Sequence, residues 1–194
     1  MTSIIRPYKD CKIGEMSSNF NAGESWRGDN VHTGIDLVPP NPYGKPVVAV
    51  EDCVVARITT PGMLYTSKDD PEYLNKLKNG YGVLLSGNYD YLYWHLLSII
   101  PVNEGDKVKK GKIIGFIGNS GTVFFNGQLV PLNIRNQNPH LGSHLHFEVR
   151  KKGTYEYLNP LNFIDWALPV PNDYLDFINS IKMVVLKINA LLKK

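Results

Sequence analysis

From residue 31 to about residue 149, short apolar runs alternate with Gly, Pro, Asn and Asp. Residues 46–50 and 53–58 are rich in Val and flank a Glu51-Asp52 turn; 83–86, 89–94, 112–117 and 144–149 repeat the pattern. Runs this short, with turn signals every dozen residues or so, predict strands of a mainly antiparallel sheet or barrel-like fold. Residues 1–30 are mixed and turn-rich. Two stretches interrupt the rhythm. Residues 61–80 carry Lys68-Asp69-Asp70-Pro71-Glu72 and a possible short helix over 73–77, and residues 121–142 are rich in Asn, Gln, Gly and Pro. Both read as long loops, which in a compact domain tend to carry function.

After Pro169-Val170-Pro171 the period changes. Tyr174, Phe177, Ile181, Val184, Ile188 and Leu191 recur at helical spacing, Asp173 and Asp176 sit at the start, and Lys193-Lys194 close the chain. This predicts an amphipathic helix over 172–194 that packs on the domain or serves self-association or docking. Lys182 and Lys187 interrupt its apolar character, so no membrane span is expected. The organisation that follows is a domain over 1–168, with its core at about 12–165, and the terminal helix.

Composition narrows the reading. With 194 residues, 21 Lys+Arg against 18 Asp+Glu and a net charge of +3, the chain can bury a core and lacks the concentrated basic charge of a nucleic-acid binder. Cys11 and Cys53 form no Cys-x-x-Cys pair and read as buried thiols, although sequence leaves a disulfide open. The first ten residues lack the basic region and apolar stretch of a cleaved secretory signal. That points to a chain made in a cytoplasm or delivered by a route other than a cleaved signal.

The histidines change the picture most. Of His32, His95, His140, His144 and His146, two lie in His144-Leu145-His146-Phe147-Glu148-Val149. Strand alternation puts His144, His146 and Glu148 on one face, with the imidazoles about 7 Å apart along the strand, and Leu145, Phe147 and Val149 on the other. In His32-Thr33-Gly34-Ile35-Asp36, an imidazole and a carboxylate share one side at i and i+4. His32, Asp36 and one histidine of the His144/His146 pair supply three protein ligands, the number a catalytic zinc keeps. Such an ion acidifies water and polarises a carbonyl, and spare imidazoles can handle protons.

His32-x-x-x-Asp36, Tyr93-Trp94-His95-Leu96 and His144-x-His146 together resemble the signatures of the lysostaphin/LytM-type zinc metallopeptidases. Gly44-Lys45-Pro46-Val47-Val48, Asn103-Glu104-Gly105-Asp106-Lys107-Val108 and Asn159-Pro160-Leu161 resemble that family's opening strands, hairpin and closing segment. The resemblance covers roughly residues 12–165. It implies one zinc per chain held by His32, Asp36 and His146, with His95 and His144 catalytic. It implies an endopeptidase acting on stem peptides or cross-bridges of bacterial peptidoglycan. The alternative is a catalytically silent wall-binding or hydrolase-activating module of the same fold. Three features depart from the family pattern. Ser143 stands where a proline is common. Residues 25–31 contain no tyrosine to assist the site, and the loops at 61–80 and 121–142 are long and should wall the substrate groove. His140, in the second loop, is expected to be uninvolved.

Overall fold

A computed structural model of the protein describes residues 3–23, 31–60 and 80–171. The helices expected at 73–77 and 172–194 lie outside the described residues. The strands are β1 (Met16–Ser18), β2 (Ile35–Leu37), β3 (Pro46–Val48), β4 (Cys53–Thr59), β5 (Tyr81–Ser86) and β6 (Asp90–Leu96), followed by β7 (Lys107–Val108), β8 (Ile113–Phe116), β9 (Phe124–Phe125), β10 (Gln128–Leu129), β11 (Leu145–Arg150) and β12 (Tyr157–Leu158). An eight-stranded sheet runs β1-β2-β11-β6-β5-β4-β7, with β12 added to β11; β3–β8 and β9–β10 form two-stranded ribbons. Every strand pairing is antiparallel.

The sheet divides cleanly by period-two alternation. One face carries the row Ile35, Phe147, Tyr93 and Val83, and beside it the row Val149, Tyr91, Leu85 and Val55. All eight are at most 2% exposed. Val47, Val48, Ile113 and Ile114 of the β3–β8 ribbon join this core, and the Tyr93 hydroxyl accepts the Val50 N–H at 3.3 Å. The other face carries Asp36, His146 and Trp94, then Glu148, Leu92, Leu84 and Arg57, then Arg150 and Asp90. These side chains line an open groove of about 1120 Å³.

Sequence and structure differ at two places that shape the groove. The turn-rich N-terminal region contains β1, which pairs with β2 and so brackets the strand that carries Asp36. The 121–142 stretch is not a plain loop. It folds into the β9–β10 hairpin and a one-and-a-half-turn helix, α1 (Leu132–Gln137). Phe124, Asn126 and His140 from this stretch line the groove, so it does form a wall. Cys11 and Cys53 are both free and buried, and burial pushes each thiol up to about 12.

Candidate metal centre and its histidine neighbours

β11 and β2 are adjacent, and their register sets Asp36 directly opposite His146. Two residues before Asp36, the chain enters β2 past Gly34, which lies against the Phe147 carbonyl in space no side chain could share. That close approach brings His32 beside the pair. His32 Nε2 is 3.1 Å from Asp36 Oδ1 and 2.9 Å from His146 Nδ1, and His146 Nδ1 is 2.8 Å from Asp36 Oδ1. All three residues are buried.

The outward nitrogens decide what the inward ones can do. His32 Nδ1 is 2.8 Å from the Asn19 carbonyl oxygen, which can only accept, so Nδ1 carries the hydrogen. His146 Nε2 likewise donates to Glu148 Oε1 at 2.9 Å. The neutral rings therefore point lone pairs at each other and at the Asp36 carboxylate. Three acceptors within 4.8 Å, with no hydrogen among them, demand a cation. In the absence of a metal a proton fills that role. Burial works against charging His146, but Asp36 and Glu148 outweigh it and push the imidazole up to about 9. For Asp36, burial likewise opposes the charge, yet His144, His146 and His32 hold its carboxyl well below the usual range. Two imidazole nitrogens and a carboxylate oxygen, with the rings oriented by a carbonyl and a carboxylate behind them, fit a divalent transition metal such as zinc.

Glu148 is the supporting residue that the sequence placed on this face without a role. It is 3% exposed. Besides His146, it accepts from Thr33 Oγ1 at 2.5 Å and Trp94 Nε1 at 3.3 Å. Its burial would raise the carboxyl, and these donors, His146 first, keep it below its usual range.

His95 and His144 stand beside the trio. Their ring centroids are 4.5 Å apart, and His95 is 6.2 Å from His146. His144 immediately precedes β11 and forms an isolated bridge with Gly118; its Nε2 is 3.7 Å from Asp36 Oδ1. Strict alternation would turn His95 into the core behind Trp94. Instead β6 bulges there, with Trp94 and His95 together opposing Gly82, and His95 takes φ +60. A bulge re-aims a side chain at the cost of local strain, here about 1–2 kcal/mol for a left-handed non-glycine residue. Both residues thereby line the groove. His95 Nδ1 donates to the Ser120 carbonyl at 2.7 Å and His144 Nδ1 to the Gly142 carbonyl at 2.9 Å, which leaves each Nε2 as the basic atom. Burial, followed by the neighbouring His144 and His146, holds His95 well below the usual histidine range, and burial also lowers His144 despite Asp36. Both shifts favour the neutral imidazole, which is able to accept a proton.

Sequence reading missed the backbone partners. Arg135 on α1 reaches back to donate to the carbonyls of Asn119 and, at 2.7 Å, Gly121. It thus clamps both sides of the Ser120 carbonyl that orients His95. Ser120 Oγ donates to the Leu96 carbonyl at 2.7 Å and accepts from Tyr81 N–H at 2.9 Å. His140 packs edge-on against Tyr43 at 6.1 Å and touches the groove only from its wall.

Comparison with known proteins agrees with this architecture. Over 69 residues, 36% of this chain and 18% of the relative, the sequence is 38% identical to Stage II sporulation protein Q of Bacillus subtilis (strain 168). The chain therefore matches less than a fifth of that relative's length. The catalytic domain of the antimicrobial peptidase lysostaphin from Staphylococcus simulans shares the fold with a TM-score of 0.53 at 21% identity, over 79% of this chain and 92% of that one. The SpoIIQ–SpoIIIAH pore forming complex contains a chain of similar fold, with a TM-score of 0.53 at 22% identity over 91% of this chain and 97% of that one. The family match runs over residues 30–160. It takes in the trio, both neighbouring histidines and the groove-wall insertion, and it is long enough to settle membership: the chain belongs to Peptidase family M23.

Proposed function

We propose that the protein is a zinc-dependent endopeptidase that hydrolyses peptide bonds in the stem peptides or cross-bridges of bacterial peptidoglycan. The observation that carries this reading is the convergence of three buried acceptor atoms beside two imidazoles whose Nδ1 atoms each donate to a backbone carbonyl, which leaves Nε2 as the atom for proton transfer. His32, Asp36 and His146 would hold the zinc. When bound, zinc supplies Lewis-acid polarisation of the scissile carbonyl and acidification of water. The chain's own residues do the rest. Asn19 and Glu148 fix the ligand rings, and His95 and His144 offer Nε2 atoms that take a proton from the attacking water and deliver one to the leaving amine. The open groove suits a polymeric substrate lying across the sheet. No helix among the described residues is long and apolar enough to cross a membrane.

A second reading, a catalytically silent partner-binding module, draws on one observation: the match to Stage II sporulation protein Q and the shared fold with the SpoIIQ–SpoIIIAH complex. Wall hydrolysis separates the two. The endopeptidase reading expects new amino termini released from purified walls by the wild-type chain and not by His95→Ala or His144→Ala. Release that persists in both variants contradicts the assigned roles, and its absence from the zinc-loaded wild type favours the silent module.

A further inference from the structure

The groove continues beyond the metal centre along β11. His146, Glu148 and Arg150 share its groove face, so Arg150 stands about 13 Å from His146 by the rise of a strand. Its guanidinium lies 5.6 Å from the Tyr155 ring centroid and 5.9 Å from that of Tyr157. Among the described residues no carboxylate is in ion-pair contact with it, and its buried Nε–H has no acceptor. Asp90, its neighbour across the sheet, accepts the Gly153 N–H at 3.0 Å and anchors the turn that carries Tyr155. Tyr155 is 86% exposed. A guanidinium held by two tyrosine rings and a hydrogen bond to Tyr157, with no carboxylate in ion-pair contact among the described residues, can offer its remaining terminal N–H groups to an anion in the groove, and planar carboxylates match that fork.

We propose that Arg150, framed by Tyr155 and Tyr157, is a carboxylate-binding subsite that selects a stem peptide bearing a free carboxylate over a neutral glycine bridge. The proposal rests on the endopeptidase reading above. An extended peptide advances about 3.3 Å per residue, so the recognised carboxylate lies some four residues along the groove from the bond placed at the metal centre. Bridges of glycine alone carry no side-chain carboxylate and leave the subsite unmet.

The test uses the zinc-loaded full chain and one preparation of diaminopimelate-type wall, stripped of phosphate-bearing polymers and divided in two. One half has its carboxylates converted to amides. The wild type should cut the untreated half at least about tenfold faster at limiting wall, as expected for a charge-assisted pair. Arg150→Gln should bring the ratio close to one, and Arg150→Lys should retain part of it. Tyr155→Ala, at a position 86% exposed, should lower the ratio several-fold. Equal cutting of both halves by the wild type overturns the subsite, as does a parallel loss on both halves in Arg150→Gln. Cutting of neither half removes the endopeptidase reading alone. Co-sedimentation with the same two halves then decides the subsite: a preference for the untreated wall that Arg150→Gln abolishes supports it, and equal binding overturns it.

Discussion

The two faces of β11 are built from alternate residues of one six-residue strand, yet they answer to different physics. Leu145, Phe147 and Val149 are wholly buried among aromatic and branched side chains. His146, Glu148 and Arg150 face the groove, where His146 and Glu148 are tied to polar partners and the buried Arg150 Nε–H is left without one. The core face holds the strand by apolar contact, which is diffuse and additive. The groove face works through lone pairs and charges, which are specific and fail individually. The core face thus fixes the register that sets His146 against Asp36, and the chemistry needs no stabilising contribution of its own.

This contrast can be broken in order of expected size. Phe147→Ala should cost about 3–5 kcal/mol of stability in denaturant unfolding, since it opens a cavity between Tyr91 and Tyr93. His144→Ala should leave unfolding nearly unchanged while wall cleavage drops by about 10²–10⁴-fold, the usual worth of general acid–base assistance. If instead it unfolds the protein as readily as Phe147→Ala does, the division between faces is wrong. Glu148→Gln keeps the size of the side chain but weakens the orientation of His146, and zinc affinity measured against a chelator should fall by about 10–100-fold.

Proton coupling gives a sharper test. With its pKa raised to about 9, His146 is protonated at pH 7 in the metal-free protein, so zinc uptake should release about one proton. Calorimetry in buffers of different ionisation enthalpy reads that number, and a value near zero contradicts the lone-pair arrangement. The sign for stability follows. A pKa raised in the fold stabilises the metal-free protein fully below the unfolded histidine value of about 6.5, and that contribution is lost as pH rises through about 9. Chelated protein should therefore lose stability between these limits. The smallest effect belongs to Arg135→Ala. It loosens the turn around Ser120 but leaves the His95 bond in place, and cleavage should fall by about tenfold or less with zinc content unchanged.

Much of this site was legible in the sequence because its parts obey strand periodicity. His144-x-His146 and Phe147-x-Val149 separate by alternation, and His32 with Asp36 share a side by spacing alone. What stayed hidden lacks a side-chain signature. The Asn19, Ser120 and Gly142 carbonyls that set the tautomers of His32, His95 and His144 are backbone groups that any residue could supply. The bulge at Trp94-His95 violates the alternation that made the rest readable, and only the pairing opposite Gly82 reveals it. β1 is three residues long and too short to show a period. Arg135 sat within a polar stretch read as loop, because a six-residue helix gives no apolar stripe. The fold class was legible from turn spacing, whereas the groove wall formed by 121–142 needed tertiary contacts to appear.

The central claim is that His32, Asp36 and His146 form a single zinc site. Metal analysis of the purified full chain, chelated and then restored with zinc, tests it most directly when run beside His146→Ala. The account predicts about one tightly held zinc per wild-type chain after restoration, and none retained by a folded His146→Ala chain. A folded wild-type chain that takes up no zinc, or a variant that keeps its full complement, would contradict it.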